Sequence, residues 1–150
     1  MPERVETTVR SLVSGDLAAI VGLDTVLTGE SKGHYWTQVL ERYLQDTGCI
    51  GLAAVVGEEL DGYLFGELRA FEFGSERCGW IFAIGVHPDT TRQGVASSLL
   101  TEAGRQFRAL GVSRVRTMVN RTDVPLLSLF RSQAFVGGPF VQLELDMTEE

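Results

Sequence analysis

The stretch that most constrains this chain runs from Ile50 to Gly111. The apolar run Ile50 to Val56, the turn-rich EELDG and the segment Tyr63 to Phe73 predict two strands in a hairpin, and a third strand, Cys78 to Val86, follows a turn at Gly74-Ser75. The pattern then changes period. Past Pro88 and a cluster of small polar residues, Gly94 opens a run whose Val95, Leu99, Leu100, Ala103, Phe107 and Leu110 share one helical stripe that ends at Gly111. Hairpin strands followed by a helical crossover imply an α+β fold with a mixed, mostly antiparallel sheet covered by helices, and argue against a doubly wound nucleotide fold.

The flanking segments extend this order. Val5 to Leu12 predicts a first strand. Gly15-Asp16 offers an N-cap to a helix carrying Leu17, Ile20, Val21 and Leu27, with Gly29 as its stop. His34 to Gln45 predicts a second helix, capped near Gly48. Val112 to Val119 alternates as a strand, Leu126 to Phe130 suggests a short fourth helix, and a final strand is expected from Phe140 to Met147.

Charge and composition narrow the function. The chain has 150 residues, which suits one domain with one core. Its net charge of −7 argues against a reader of phosphate backbones, so nucleic acid is not an expected partner. Two cysteines, Cys49 and Cys78, make neither a disulfide framework nor a metal-binding spacing. No apolar run reaches the length of a membrane span and the first residues carry no signal-like apolar core, so the expectation is a cytoplasmic protein with no membrane partner.

The chemistry is expected at the break between Val86 and Gly94. A strand that ends there and a helix that starts there expose the first N–H groups of the helix, which have no partners within it and carry the positive end of its dipole. Such a turn suits an anion like a pyrophosphate. Gly94 permits close backbone approach, Ala96 keeps the next turn small, Arg92 adds charge, and Ser97 or Ser98 offers a hydroxyl. Each also has a plainer reading: a turn glycine, a solvated arginine, ordinary first-turn serines. The spacing excludes the phosphate loop that ends in Gly-Lys-Ser/Thr and the dinucleotide fingerprint Gly-x-Gly-x-x-Gly.

The window Thr91-Arg92-Gln93-Gly94-Val95-Ala96, after Val86-His87-Pro88, resembles the pyrophosphate loop of the GCN5-related N-acetyltransferases, Gln/Arg-x-x-Gly-x-Gly/Ala. Gly94 and Ala96 match, while Thr91 holds the first position and Arg92 and Gln93 follow it. A second segment, Asp123 to Phe135, is similar to that family's Asn-x-x-Ala-x-x-x-Tyr-x-x-x-Gly-Phe, with Asp123, Leu126, Phe130 and Ala134 in place of its Asn, Ala, Tyr and Gly.

The resemblance implies a central sheet with splayed strands, about four helices, and acetyl transfer from acetyl-CoA to a primary amine of a small molecule or peptide by direct attack, with no metal. It places the cofactor against Gly85, Val86, Arg92, Gln93, Gly94, Val95, Ala96 and Ser97, with Asp123 and Phe130 beside it, and puts the gap between strands near Ala83 to Val86 and Val115 to Val119. Phe130, in the position of the family's proton-donating tyrosine, has no proton to give. Glu67 is the candidate base, against its plainer reading as a solvated strand glutamate. Gly85 also reads as the site of a bulge, His87 as a loop hydrogen-bonding residue, and Asp123 as the cap of the fourth helix. Among the aromatics, Tyr35, Trp36 and Tyr43 read as acceptor pocket or core, and Trp80 as core. A homodimer is also among the expectations. Two further readings stand beside the enzyme: a catalytically weak acyl-CoA sensor or partner-binding module, and a structural α+β protein that binds no CoA.

Overall fold

The computed structural model describes residues 6–70, 72–89 and 94–148. Five strands form one sheet in the order β1-β2-β3-β4-β5: β1 Thr7–Ser11, β2 Cys49–Val56, β3 Glu59–Arg69, β4 Cys78–Val86 and β5 Val115–Thr117. The first four pair antiparallel, and β5 joins β4 in parallel after the crossover helix. Four α-helices flank them: α1 Leu17–Thr28, α2 Gly33–Gln45, α3 Val95–Ala109 and α4 Val124–Ser132. This is the mixed, mostly antiparallel α+β architecture that the alternation of periods predicts.

Strand alternation divides the core in two. Ile50, Leu52 and Ala54 of β2 and Leu64 of β3 face α3, where Val95, Leu99, Ala103 and Phe107 are buried. Their neighbours Ala53, Tyr63 and Phe65 face α1 and α2 and meet Ile20, Leu23, Trp36, Leu40 and Tyr43. Successive residues of a strand point to opposite faces, so apolar runs such as CIGLAAVV fit a sheet covered on both sides. Two glycines let α3 come close: a Cβ at Gly79 would lie 2.6 Å from Phe107 Cδ1, and one at Gly66 2.8 Å from its Cζ.

Several boundaries differ from the sequence expectation. Val5 lies outside the described residues. The hairpin turns at Gly57-Glu58, where Gly57 has φ 66°, so β3 begins earlier than Tyr63 and ends at Arg69. Asp16 is the N-cap residue of α1, but its carboxylate accepts from Val13 N and from Arg10. α2 ends at Gln45 and its cap residue is Asp46, whose side chain accepts from Gly48 N. β5 keeps three of the eight residues expected of it. The strand expected from Phe140 to Met147 does not form, and among the described residues no strand pairs with that segment.

Candidate active site

The site arises where β4 and β5 part. Their pairing covers Gly79 to Ile81 against Val115 to Thr117, closed by Thr117 Oγ1 donating to Ile81 O at 3.0 Å. β4 runs on to Val86 with no β5 partner. A bulge marks the divergence: Phe65 pairs with Ala83 and Gly66 with Ile81, leaving Phe82 unopposed on β3. The bulge is therefore at Phe82 and not at Gly85. Gly85 pairs with Tyr63, and a Cβ there would sit 2.6 Å from Tyr63 Cζ, so the ring itself requires the glycine.

A cleft of about 380 Å³ opens at this divergence. One wall is Ile81 to Ile84, another is Thr117 and Met118, a third is Leu126 and Phe130 of α4, and the fourth comes from α1 and α2 with Tyr63. In that fourth wall lies Asp24, a carboxylate only 4% exposed. Its Oδ2 accepts from Trp36 Nε1 at 2.9 Å and pairs with Lys32 Nζ at 3.0 Å. Tyr35 stands edge-on to Trp36, and Trp36 edge-on to Tyr63, so the carboxylate is set among aromatic rings. Burial pushes the Tyr63 hydroxyl pKa well up, with Asp24 and Tyr35 adding to the effect, so Tyr63 stays protonated at neutral pH.

Asp24 was not among the residues singled out from the sequence, although a signal was present. It stands four residues after Ile20 and seven after Leu17, so it interrupts the apolar stripe of α1 with a charge. A carboxylate on a buried stripe must be paired or hydrogen-bonded, and its partners, Lys32 and Trp36, come from the next helix and the loop before it.

Beyond β4 the chain enters α3 as expected. Gly94 is its N-cap, with φ 74°, a left-handed conformation that favours glycine. The first bond along the helix is Ser98 N to Gly94 O at 2.9 Å, so the N–H groups of Val95, Ala96 and Ser97 precede it. The side chains there do not all face a ligand. Val95 is fully buried against the sheet, and Ser97 Oγ accepts from Gln133 Nε2 at 3.1 Å. Arg92 and Gln93 lie outside the described residues.

The remaining sequence candidates are spread more widely. Phe130 is buried, packed edge-on against Phe135, and lines the cleft. Asp123 caps α4, its Oδ1 accepting from Leu126 N at 3.1 Å. Gly85 and Val86 lie beyond the residues of β4 that line the cleft. Glu67 does not line the cleft: it is buried, and its two oxygens accept from Arg42 at 2.7 Å and Arg69 at 3.2 Å. His87 Nδ1 accepts from Asp89 N, the loop role expected of it. Trp80 is half-buried rather than core, with the Arg69 guanidinium 4.4 Å above its ring. Among the described residues no cluster of His, Cys, Asp and Glu is suited to a metal.

With this geometry in place, the chain belongs to the Acetyltransferase (GNAT) family, whose profile matches residues 18–135. No curated protein matches the sequence. Solved structures share the fold at low identity. An aminoglycoside N-acetyltransferase, AAC(6')-Iy in complex with CoA, has a TM-score of 0.84 at 15% identity, covering 98% of this chain and 99% of its own. The aminoglycoside 6'-N-acetyltransferase AAC(6')-IG from Acinetobacter haemolyticus has a TM-score of 0.80 at 18% identity, covering 95% of this chain and 99% of its own. A transcriptional regulator from Bacillus halodurans C-125 matches equally well, with a TM-score of 0.80 at 17% identity over 95% of this chain and 100% of its own. Family and fold together support acetyltransferase activity.

Proposed function

We propose that the protein transfers an acetyl group from acetyl-CoA to a primary amine of a small molecule or peptide, by direct attack, and that the amine enters as a cation. The observation that carries this reading is the Asp24 carboxylate, set among aromatic rings in the cleft where β4 and β5 part. Carboxylate and ring faces both attract an ammonium group. Acetyl-CoA supplies an acetyl group already activated as a thioester. The turn at Gly94 and the N–H groups of Val95, Ala96 and Ser97, which precede the first bond along the helix, suit its pyrophosphate, and the β4 edge from Phe82 to Ile84, without a β5 partner, has backbone groups available to orient its acyl arm.

The bound ammonium first gives up one proton to water, because a cationic nitrogen has no lone pair with which to attack. Transfer then forms a bond from the neutral amine nitrogen to the acetyl carbon and breaks the carbon–sulfur bond; the nitrogen sheds its second proton, which restores the proton donor, and the departing thiolate takes up the donor's proton. Phe130 has none to give, and the protonated Tyr63 hydroxyl lines the same cleft, so Tyr63 takes the donor's role.

Calorimetric titration with acetyl-CoA, and with CoA alone, followed by thiol release across a panel of amines, tests the assignment. Saturable binding of acetyl-CoA with turnover on cationic amines supports it, and a folded protein that binds no CoA overturns it. Binding without turnover would instead support the acyl-CoA sensor, a reading favoured by Phe130 and by the likeness to a transcriptional regulator.

A further inference from the structure

The cleft that holds Asp24 is poor in charge for a protein of net charge −7. Among the described residues that line it, Asp24 and Lys32 alone are charged, and they pair at 3.0 Å, so the formal charges of the lining cancel. Glu67 lies outside the lining and is held by Arg42 and Arg69. Polar side chains in the cleft are also largely engaged. Trp36 Nε1 donates to Asp24 and Thr117 Oγ1 to Ile81 O, and the other hydroxyls of the lining are those of Tyr35 and Tyr63.

The apolar part of the lining, by contrast, is open to solvent. Phe82, Met118 and Tyr35 are 46%, 67% and 41% exposed. Phe82 stands at the bulge of β4, unopposed on β3, and Met118 follows the last residue of β5. Ile84 and Leu126 belong to the same lining. Large apolar side chains left in water along the wall of a ligand cleft mark a binding surface, and rings and a thioether pack well against an apolar body.

One carboxylate among apolar walls defines a ligand. A single ammonium can replace that of Lys32 on Asp24, because the Lys32 side chain is 35% exposed and can turn into water. A second cation would meet no second carboxylate and would have to shed its water against apolar surface, which is costly. A polyhydroxylated body fares no better, since hydroxyls taken out of water need partners.

We propose that the acceptor is a small apolar monoamine, with one primary ammonium on Asp24 and an alkyl or aryl body against Phe82, Met118 and Tyr35. This substrate class rests on the acetyl-transfer reading above and rules out polycationic amines such as aminoglycosides as good acceptors.

Amines of matched length test it: hexylamine, aminohexanol and hexamethylenediamine differ only in whether the far end carries hydrogen, a hydroxyl or an ammonium group. Calorimetric titration of each into the CoA-bound protein, and kcat/KM with acetyl-CoA, are expected to rank them in that order, with about tenfold or more between first and last. Met118→Glu, altered at an exposed side chain, places a second carboxylate on the cleft wall. The variant keeps its circular dichroism, and its ratio of first to last narrows by about tenfold. Hexamethylenediamine or an aminoglycoside used as well as hexylamine overturns the substrate class and leaves acetyl transfer standing, as does a leucyl tripeptide used better than hexylamine. A ratio that Met118→Glu does not move overturns it too. Where CoA binds without turnover, the calorimetric ranking decides, and the absence of any amine binding counts against the class. A folded protein that binds no CoA overturns acetyl transfer itself and this substrate class with it.

Discussion

At the scale of single residues, the cleft is organised by an ion pair that belongs to the protein itself. Lys32 places its own ammonium on Asp24, 35% exposed at one end and 6% at the other, so the cationic amine proposed as acceptor would compete with an internal one. A site partly held by an internal occupant binds its ligand more weakly by the fraction so held. Lys32→Met is therefore expected to lower KM for cationic amines by about threefold to tenfold with little change in kcat, whereas Asp24→Asn, which keeps an oxygen for Trp36, raises KM by about tenfold or more. Steady-state kinetics on one amine and its neutral analogue checks both, since the neutral analogue should respond to neither. Tyr63→Phe removes the hydroxyl proposed to protonate the thiolate. Its expected signature is a kcat lower by about tenfold with KM for acetyl-CoA unchanged, because a thiolate also leaves tolerably without help.

At the scale of elements, two helix termini make predictions of their own. Two residues past α4, Ala134 has φ 69°, where the resembling family has glycine. An alanine in left-handed backbone is strained by about 1 kcal/mol, so Ala134→Gly is expected to raise stability by about that amount in urea unfolding. At the start of α1, Asp16 ties the end of β1 to the helix through Arg10 at 2.8 and 2.9 Å and Val13 N at 2.9 Å. The hydrogen bond from Arg10, chiefly, holds its carboxyl below the usual carboxylate range. A carboxyl whose folded pKa is depressed stabilises above its unfolded pKa and loses that contribution as pH falls through the folded one. Asp16→Asn should thus cost about 1 kcal/mol near neutral pH, a modest figure because Arg10 is well exposed, and the difference from wild type should shrink below pH 4. Urea titrations at several pH values read this directly.

At the scale of the whole molecule, ligand binding and folding are linked. Acetyl-CoA at a hundred times its Kd should stabilise the fold by about 2.7 kcal/mol, and at about 2–4 °C per kcal/mol for a chain of this size the Tm should rise by several degrees in a scanning experiment. An unmoved Tm at saturation would argue against a CoA site. The sequence by itself determined the four helices and the first five strands in their order, because period, caps and glycine stops are local: Gly29, Gly94 and Gly111 all take the left-handed backbone at helix ends that their positions suggest. It also determined the turn at Gly94 and the capping role of Asp123. Only the tertiary structure decided the chemistry around them. What Glu67 pairs with depended on Arg42, 25 residues away in the chain, and why position 85 is glycine depended on the ring of Tyr63 on the neighbouring strand. Asp24 became a candidate only when Lys32, Trp36 and the parting strands surrounded it. The terminal strand has the right pattern and no neighbour, because alternation specifies a face to be buried, whereas a partner strand has to come from another part of the fold.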